Sequence, residues 1–327
     1  RDAKLYKPRN SYGNTGAQFY VAKNPEYGAV FTYHLKDMPK TSKSKRIQSE
    51  RKLNSDKKDV PFPGYDAISK EMNEKPASII LTIKDSEGNH IRNVKKNASN
   101  GSGRIAWNLR HKSYFPVRAG SSGPRWGYFN PSGPYVTPGE YHAEFYLENN
   151  GSVEKLDGPI SFNVKPLRKG TLEGASYDDY NSFRIRVSNL YIEMSKYQDE
   201  FNMMKTKIEL LDKASLQLET FSPEIMKKIS DFKTKYNAFD SETDGNPAKA
   251  EIGEWDKPSI SMRTQIAMQG LSTSYGPTDL NKSNLDIAEK LFDKLALDVK
   301  MFKSELESLE NEVKELNPPH LSGSGIN

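Results

Sequence analysis

Apolar side chains in this chain follow two rhythms, and the change from one to the other falls near residue 170. Before it, hydrophobic and polar positions alternate over short runs, the period of a strand with one buried face. Gly28 to Leu35 (GAVFTYHL) is rich in β-branched and aromatic residues, and Ser78 to Lys84 (SIILTIK) is a second such run, bounded by Pro76. The turn Asp85-Ser86-Glu87-Gly88-Asn89 joins it to His90–Lys95 as a hairpin. Gly103 to Arg110 places Ile105, Trp107 and Leu109 on one face, and Tyr141 to Leu147 does the same with Tyr141, Ala143, Phe145 and Leu147. Thr137-Pro138-Gly139-Glu140 launches that strand, Asn149-Asn150-Gly151 turns the chain back, and Ile160 to Val164 supplies the last one. Six or seven short strands with such turns predict an antiparallel Ig-like β-sandwich over residues 28–170.

After residue 176 the period is helical. Val187, Leu190, Met194, Tyr197, Phe201, Met204, Ile208 and Leu211 fall at spacings of three and four, and Leu291, Leu295, Val299, Phe302, Leu306, Leu309, Val313 and Leu316 repeat them. One apolar residue per turn along a single seam is the pattern of a coiled coil or bundle. Neither seam can be buried alone, so the two long helices are expected to pack antiparallel, as a bundle over residues 176–317. Gly276-Pro277-Thr278-Asp279 starts the last helix and Pro318-Pro319 stops it. Ser222-Pro223-Glu224 opens a shorter helix carrying Ile225, Ile229, Phe232 and Tyr236, a loop runs from Ser241 to Pro258, and Ser259–Leu271 forms another short helix. The predicted class is a multi-domain chain, all-β followed by all-α. Residues 1–27 read as an extended linker from an upstream domain and 318–327 as a tail.

Two insertions interrupt the strand region. In the first, residues 36–76, the stretch from Lys36 to Lys58 holds nine Lys or Arg against three Asp or Glu. That local excess of +6 leaves the rest of the chain near −1, since the whole carries +5. Lys43, Lys45, Arg46, Arg51 and Lys52 make this a candidate loop for an anionic partner, although its default form is a solvated, mobile hairpin. Between Lys40 and Lys58 Ile47 and Leu53 are the only large apolar residues, and without interleaved aromatics that stretch lacks the pattern of a nucleic-acid site. The second insertion, residues 111–136, gathers Tyr114, Phe115, Trp126, Tyr128, Phe129 and Tyr135 among Gly and Pro. Those rings suit three roles: stacking on sugars, anchoring a protein partner, or packing on Trp107 at one end of the sandwich.

Composition narrows the chemistry. A chain of 327 residues with a mean hydropathy of −0.79 suits two domains with much exposed helix and loop. No apolar run approaches the ~18 residues of a membrane-spanning helix. The first residues, RDAKLYKPRN, form no signal peptide and include no initiator Met, so the numbered chain reads as a mature product or a part of something longer. The absence of Cys removes disulfides, thiolate nucleophiles and zinc-thiolate sites together. The five histidines, His34, His90, His111, His142 and His320, are too dispersed for a metal motif, and neither GxSxG nor a P-loop occurs. Asp178 with Asp179 and Glu140 with Glu144 are the nearest carboxylate pairs for hydrolysis. The first pair suits the opening turn of a helix. In the second, Glu140 follows a turn and Glu144 faces outward from its strand. No catalytic residue, metal or cofactor is therefore expected on this chain.

Several stretches resemble the carboxy-terminal region of bacterial sortilin-like, BNR-repeat β-propeller proteins. They are Asn24-Pro25-Glu26-Tyr27-Gly28-Ala29-Val30-Phe31-Thr32-Tyr33, Ile83-Lys84-Asp85-Ser86-Glu87-Gly88, Ala106-Trp107-Asn108-Leu109-Arg110 and Thr137-Pro138-Gly139-Glu140-Tyr141, with Leu316-Asn317-Pro318-Pro319 closing the last helix. The resemblance covers nearly the whole chain, through short motifs; the propeller and its Ser-x-Asp-x-Gly-x-x-Trp repeat are absent. It implies an Ig-like module, similar to that of the flagellar hook-cap protein, then a helical region, in an exported protein of the periplasm or cell surface. The implied function is a non-catalytic accessory and docking module, with the upstream propeller or another envelope subunit as partner. The alternative is a carbohydrate-binding module serving a glycoside-hydrolase-like propeller, the label such proteins often carry.

Overall fold

The computed structural model describes residues 2–5, 25–117, 133–168, 173–273 and 275–319. They divide into two compact units, one from residues up to 112 and from 133 to 168, the other from 113–117 and from 173 onward.

The first unit contains β1 (Ala3–Leu5), β2 (Ala29–Leu35), α1 (Ser42–Ser55), α2 (Tyr65–Asn73), β3 (Ser78–Asp85), β4 (His90–Asn97), β5 (Gly101–Trp107), β6 (Gly139–Asn149) and β7 (Ser152–Pro166). Five strands form one sheet in the order β1-β7-β6-β3-β4, and β2 pairs antiparallel with β5. Period-two burial drives each pairing: Ile79, Leu81 and Ile83 of β3 are buried, as are Ile105 and Trp107 of β5 and Tyr141, Ala143 and Phe145 of β6. These side chains share one apolar core. Trp107 is fully buried, with the rings of Tyr141 and Phe162 at 5.3 and 6.0 Å. Its indole Nε1 donates to the Arg110 carbonyl at 2.9 Å, so the one polar atom of the ring is satisfied. Gly28, at φ 109°, lies so close that a Cβ there would sit 2.0 Å from the Trp107 carbonyl oxygen. Asn150-Gly151, with φ of 47° and 85°, forms the two-residue turn between β6 and β7.

This architecture overturns the antiparallel Ig-like sandwich. The sheet is mixed and curled into a half-barrel, because β1 runs parallel to β7 through Ala3↔Val164, Lys4↔Lys165 and Leu5↔Pro166. The chain as a whole is mixed α/β, with helices inside the strand unit as well as after it. Alternation identifies which residues form strands and which face they bury. It carries no information about partners, so a three-residue strand in a segment read as linker redefined the sheet.

The second unit holds α3 (Tyr177–Ser215), α4 (Pro223–Asp244), α5 (Pro247–Glu251), α6 (Ile260–Gln269) and α7 (Asp279–Lys314). Each long helix starts at a side-chain cap. Ser176 accepts from the Asp179 amide, and Thr278 forms a reciprocal capping box with Asn281. At 1.5 Å per residue α3 is about 58 Å long and α7 about 54 Å. Their apolar seams share a core with Ile225 and Ile229 of α4 and Ile260 and Met268 of α6.

The long helices are parallel, and this corrects the expected antiparallel pair. Arg186 meets Glu289, Lys303 meets Glu200 and Lys207 meets Glu310, a constant separation of 103 residues, as two helices advancing together must show. Lys228–Glu312 and Lys235–Glu305 close from 84 to 70 residues, so α4 runs against α7. Asn281 donates to the Ile266 carbonyl and Arg263 to Asn284, which sets α6 against the start of α7. The return path is thus one run broken into α4 and α6, with α3 and α7 both flanking it. Seam spacing marks most of what each helix buries but is blind to direction.

Phe201, fully buried and stacked on Tyr236 at 4.0 Å, sits where α3 meets α4. Phe201→Ala should lower stability by about 3–5 kcal/mol, read as a drop in the urea midpoint of the helical circular dichroism.

Candidate functional site

The basic insertion is a pair of helices, not a mobile loop. Thr41 caps α1 by accepting from the Ser44 amide at 3.1 Å. The Glu74 carboxylate, beyond the end of α2, accepts from the Ser42 amide at 2.5 Å and its hydroxyl at 2.6 Å, placing negative charge at the positive end of α1. Arg46 grips Glu71 of α2 through Nε and Nη2, both at 2.8 Å, and reaches Glu50 with Nη1 at 2.6 Å. The guanidinium holds the Glu71 carboxyl below the usual carboxylate range.

Polar contacts dominate this hairpin, because neither helix buries a single residue. Phe62 is 63% exposed, Tyr65 83% and Met72 81%. The Phe62 and Tyr65 rings meet edge to face at 5.1 Å, and Tyr65 and Met72, seven residues apart, share one face of α2. Pro63, Gly64, Tyr65, Asp66, Ala67 and Lys70 line an open depression at their base. Of the five basic residues picked out from sequence, Lys43, Lys45, Arg51 and Lys52 are exposed on α1 and Arg46 is half-buried in its fork. Phe62, Tyr65 and Met72 escaped the sequence reading because they belong to no alternating or seam-forming run.

The described aromatic residues of the second insertion are divided between the two units. Tyr114 stacks on Phe115 at 4.9 Å, and both set their faces or edges against Tyr191 of α3, at 5.3 and 4.9 Å, within the helical unit. Tyr135 belongs to the strand unit, edge-on to Tyr27 at 6.5 Å, with the Arg110 guanidinium 3.7 Å above its ring. Trp126, Tyr128 and Phe129 lie outside the described residues.

Glu144 is buried instead of facing outward to water. Its carboxylate meets Lys84 at 2.8 Å and Lys155 at 3.0 Å, and Tyr146 donates to it at 3.1 Å. The hydrogen bond from Lys84, then that from Lys155, lowers its pKa from an ordinary 4.5 to about 2, so it stays ionised where a general acid must hold a proton. Lys155 arrives from the first half of β7, a stretch that its sequence did not mark as strand. Glu140 is exposed on the same strand, and Asp178 and Asp179 occupy the first turn of α3. Among the described histidines, His34 contacts Ser102, His90 contacts Asn93 and His142 contacts Ser161. Among the described residues no group of acids and histidines could hold a metal ion, and no helix is long and apolar enough to cross a membrane.

No family model matches the chain, and no curated protein or solved structure is similar to it.

Two outcomes follow from these contacts. Because the folded-state pKa of Glu144 is depressed, its contribution to stability is present above about pH 4.5 and lost as pH falls toward 2. Glu144→Gln should therefore be less stable at neutral pH and show a flatter acid limb in pH-dependent urea unfolding. Glu71→Gln should loosen the α1–α2 pair, raising amide exchange across residues 42–55 several-fold while leaving β3 unchanged.

Proposed function

We propose that the chain is a non-catalytic interaction module that docks a protein partner through the α1–α2 hairpin. The observation that carries this reading is the exposure of Tyr65 and Met72 on α2, and of Phe62 just before it, in a helix pair that buries nothing of its own. Aromatic and methionine side chains are enriched at the centres of interfaces, where a few anchors supply most of the affinity. Tyr65 and Met72 are held on a helix tied by Arg46 and Glu71, and Phe62 rests on Tyr65, so the anchors are ordered before binding, which lowers the entropic cost of association. Lys43, Lys45, Arg51 and Lys52, exposed on α1, give the hairpin a positive charge that steers an acidic surface and raises the rate of encounter.

The setting that this reading favours is an exported bacterial envelope protein of sortilin-like kind, in the periplasm or at the cell surface. The partner is then an upstream propeller of the same protein or another envelope subunit, with an apolar pocket rimmed by acids. The resemblance implies an Ig-like module, which the mixed sheet is not, so docking rests on the hairpin and not on the family.

The test is a quantitative pull-down from detergent-solubilised envelope of producing cells. Wild-type chain should retain a stoichiometric protein at low salt, lose most of it at high salt, and lose it about tenfold or more in Phe62→Ser with Tyr65→Ser. Equal retention by the variant, or polysaccharide hydrolysis by the purified chain, would overturn the reading.

A further inference from the structure

The seam that α7 buries is not the only one it carries. The sequence spacing assigned Leu291 to the core, but Phe292 takes that place and Leu291 is turned outward. Leu291 belongs to a second stripe, Leu280, Ile287, Leu291, Lys294, Asp298 and Met301, whose steps are seven, four, three, four and three. That is heptad spacing on one face of the helix. Its four apolar members are all exposed, Leu280 to 65% and Met301 to 60%, and Leu297, at 65%, flanks them. Two seams on one helix are what a helix needs to pack on two sides, and among the described residues only one of the two is buried.

The two charges within the stripe identify what fits the other side. Lys294 is exposed and Asp298 half-exposed, and neither takes part in an ion pair among the described residues. A wholly apolar partner would strip water from both without compensation. A second α7 laid antiparallel, with the two-fold axis at residue 296, sets each Lys294 opposite an Asp298 and each Leu291 opposite a Met301. A parallel copy sets Lys294 on Lys294. Farther out, Ile287 comes opposite Glu305, whose carboxylate is already held by Lys235 at 2.8 Å, leaving its methylenes for the contact.

We propose that the outer face of α7 is a self-association surface, on which a second copy of this chain packs antiparallel through Leu291, Met301 and a reciprocal Lys294–Asp298 pair. This face is independent of the α1–α2 hairpin, so either can fail without the other. The test is sedimentation velocity of the full chain from about 1 to 100 µM, with circular dichroism to confirm that each surface variant is folded. Wild-type chain should pass from monomer to dimer in that range, and Leu291→Asp should stay monomeric. Lys294→Asp alone and Asp298→Lys alone should each dimerise at least tenfold more weakly, since like charges then face each other. Their equimolar mixture should recover dimer as a heterodimer, and the double exchange Lys294→Asp with Asp298→Lys should recover it as a homodimer. A wild-type chain that remains monomeric throughout overturns the proposal and leaves the stripe to a different protein. So does a dimer indifferent to the single reversals, or one the mixture does not restore.

Discussion

The direction of the long helices governs much of what the rest of this molecule does. Each of α3 and α7 carries an apolar seam that cannot stay in water, and the seams meet because α4 and α6 return the chain between them. A return path in two pieces brings α7 back alongside α3 in the same direction, locked by ion pairs at a constant separation of 103 residues. That register decides which turn of α7 faces inward. It buries Phe292 and leaves Leu291 outside.

The same division of labour between buried and displayed apolar groups runs through the strand unit. Trp107, Ile105 and the inward residues of β3 and β6 are consumed by one core, while Phe62, Tyr65 and Met72 are held outward by a hairpin built from carboxylate caps and an arginine fork. Polar contacts of that kind give little stability when exposed to solvent, but they fix geometry. Fixed geometry is what a docking anchor needs. Glu144 shows the opposite use of charge, a carboxylate enclosed by two lysines and a tyrosine and kept ionised, tying β3, β6 and β7 together across the sheet.

What the sequence made legible follows from the physics each pattern encodes. Alternation located β2 through β6, because a strand with one wet face must alternate. It could not reveal that β1 joins β7 in parallel, since three residues contain no period. The helical seams and the caps at Ser176 and Thr278 were readable for the same reason that they are stable. Their mutual direction was not, and adjacent apolar residues at 291 and 292 made two seams look like one. The α1–α2 pair was illegible because neither helix buries a residue and the pair depends on Arg46 reaching Glu71, a contact 25 residues away. Of the aromatic candidates, Tyr114 and Tyr135 proved to serve different units, which no linear reading of one glycine-rich insertion would separate.

The parallel register is open to a direct measurement, since the chain contains no cysteine to interfere. Paired cysteines introduced at Glu200 and Lys303, or at Lys207 and Glu310, should form an intramolecular disulfide under mild oxidation, whereas a pair at Arg186 and Glu310 should not. Efficient closure of the Arg186 and Glu310 pair, with none at the other two, would mean that the long helices oppose each other and that the outward stripe has been assigned to the wrong face.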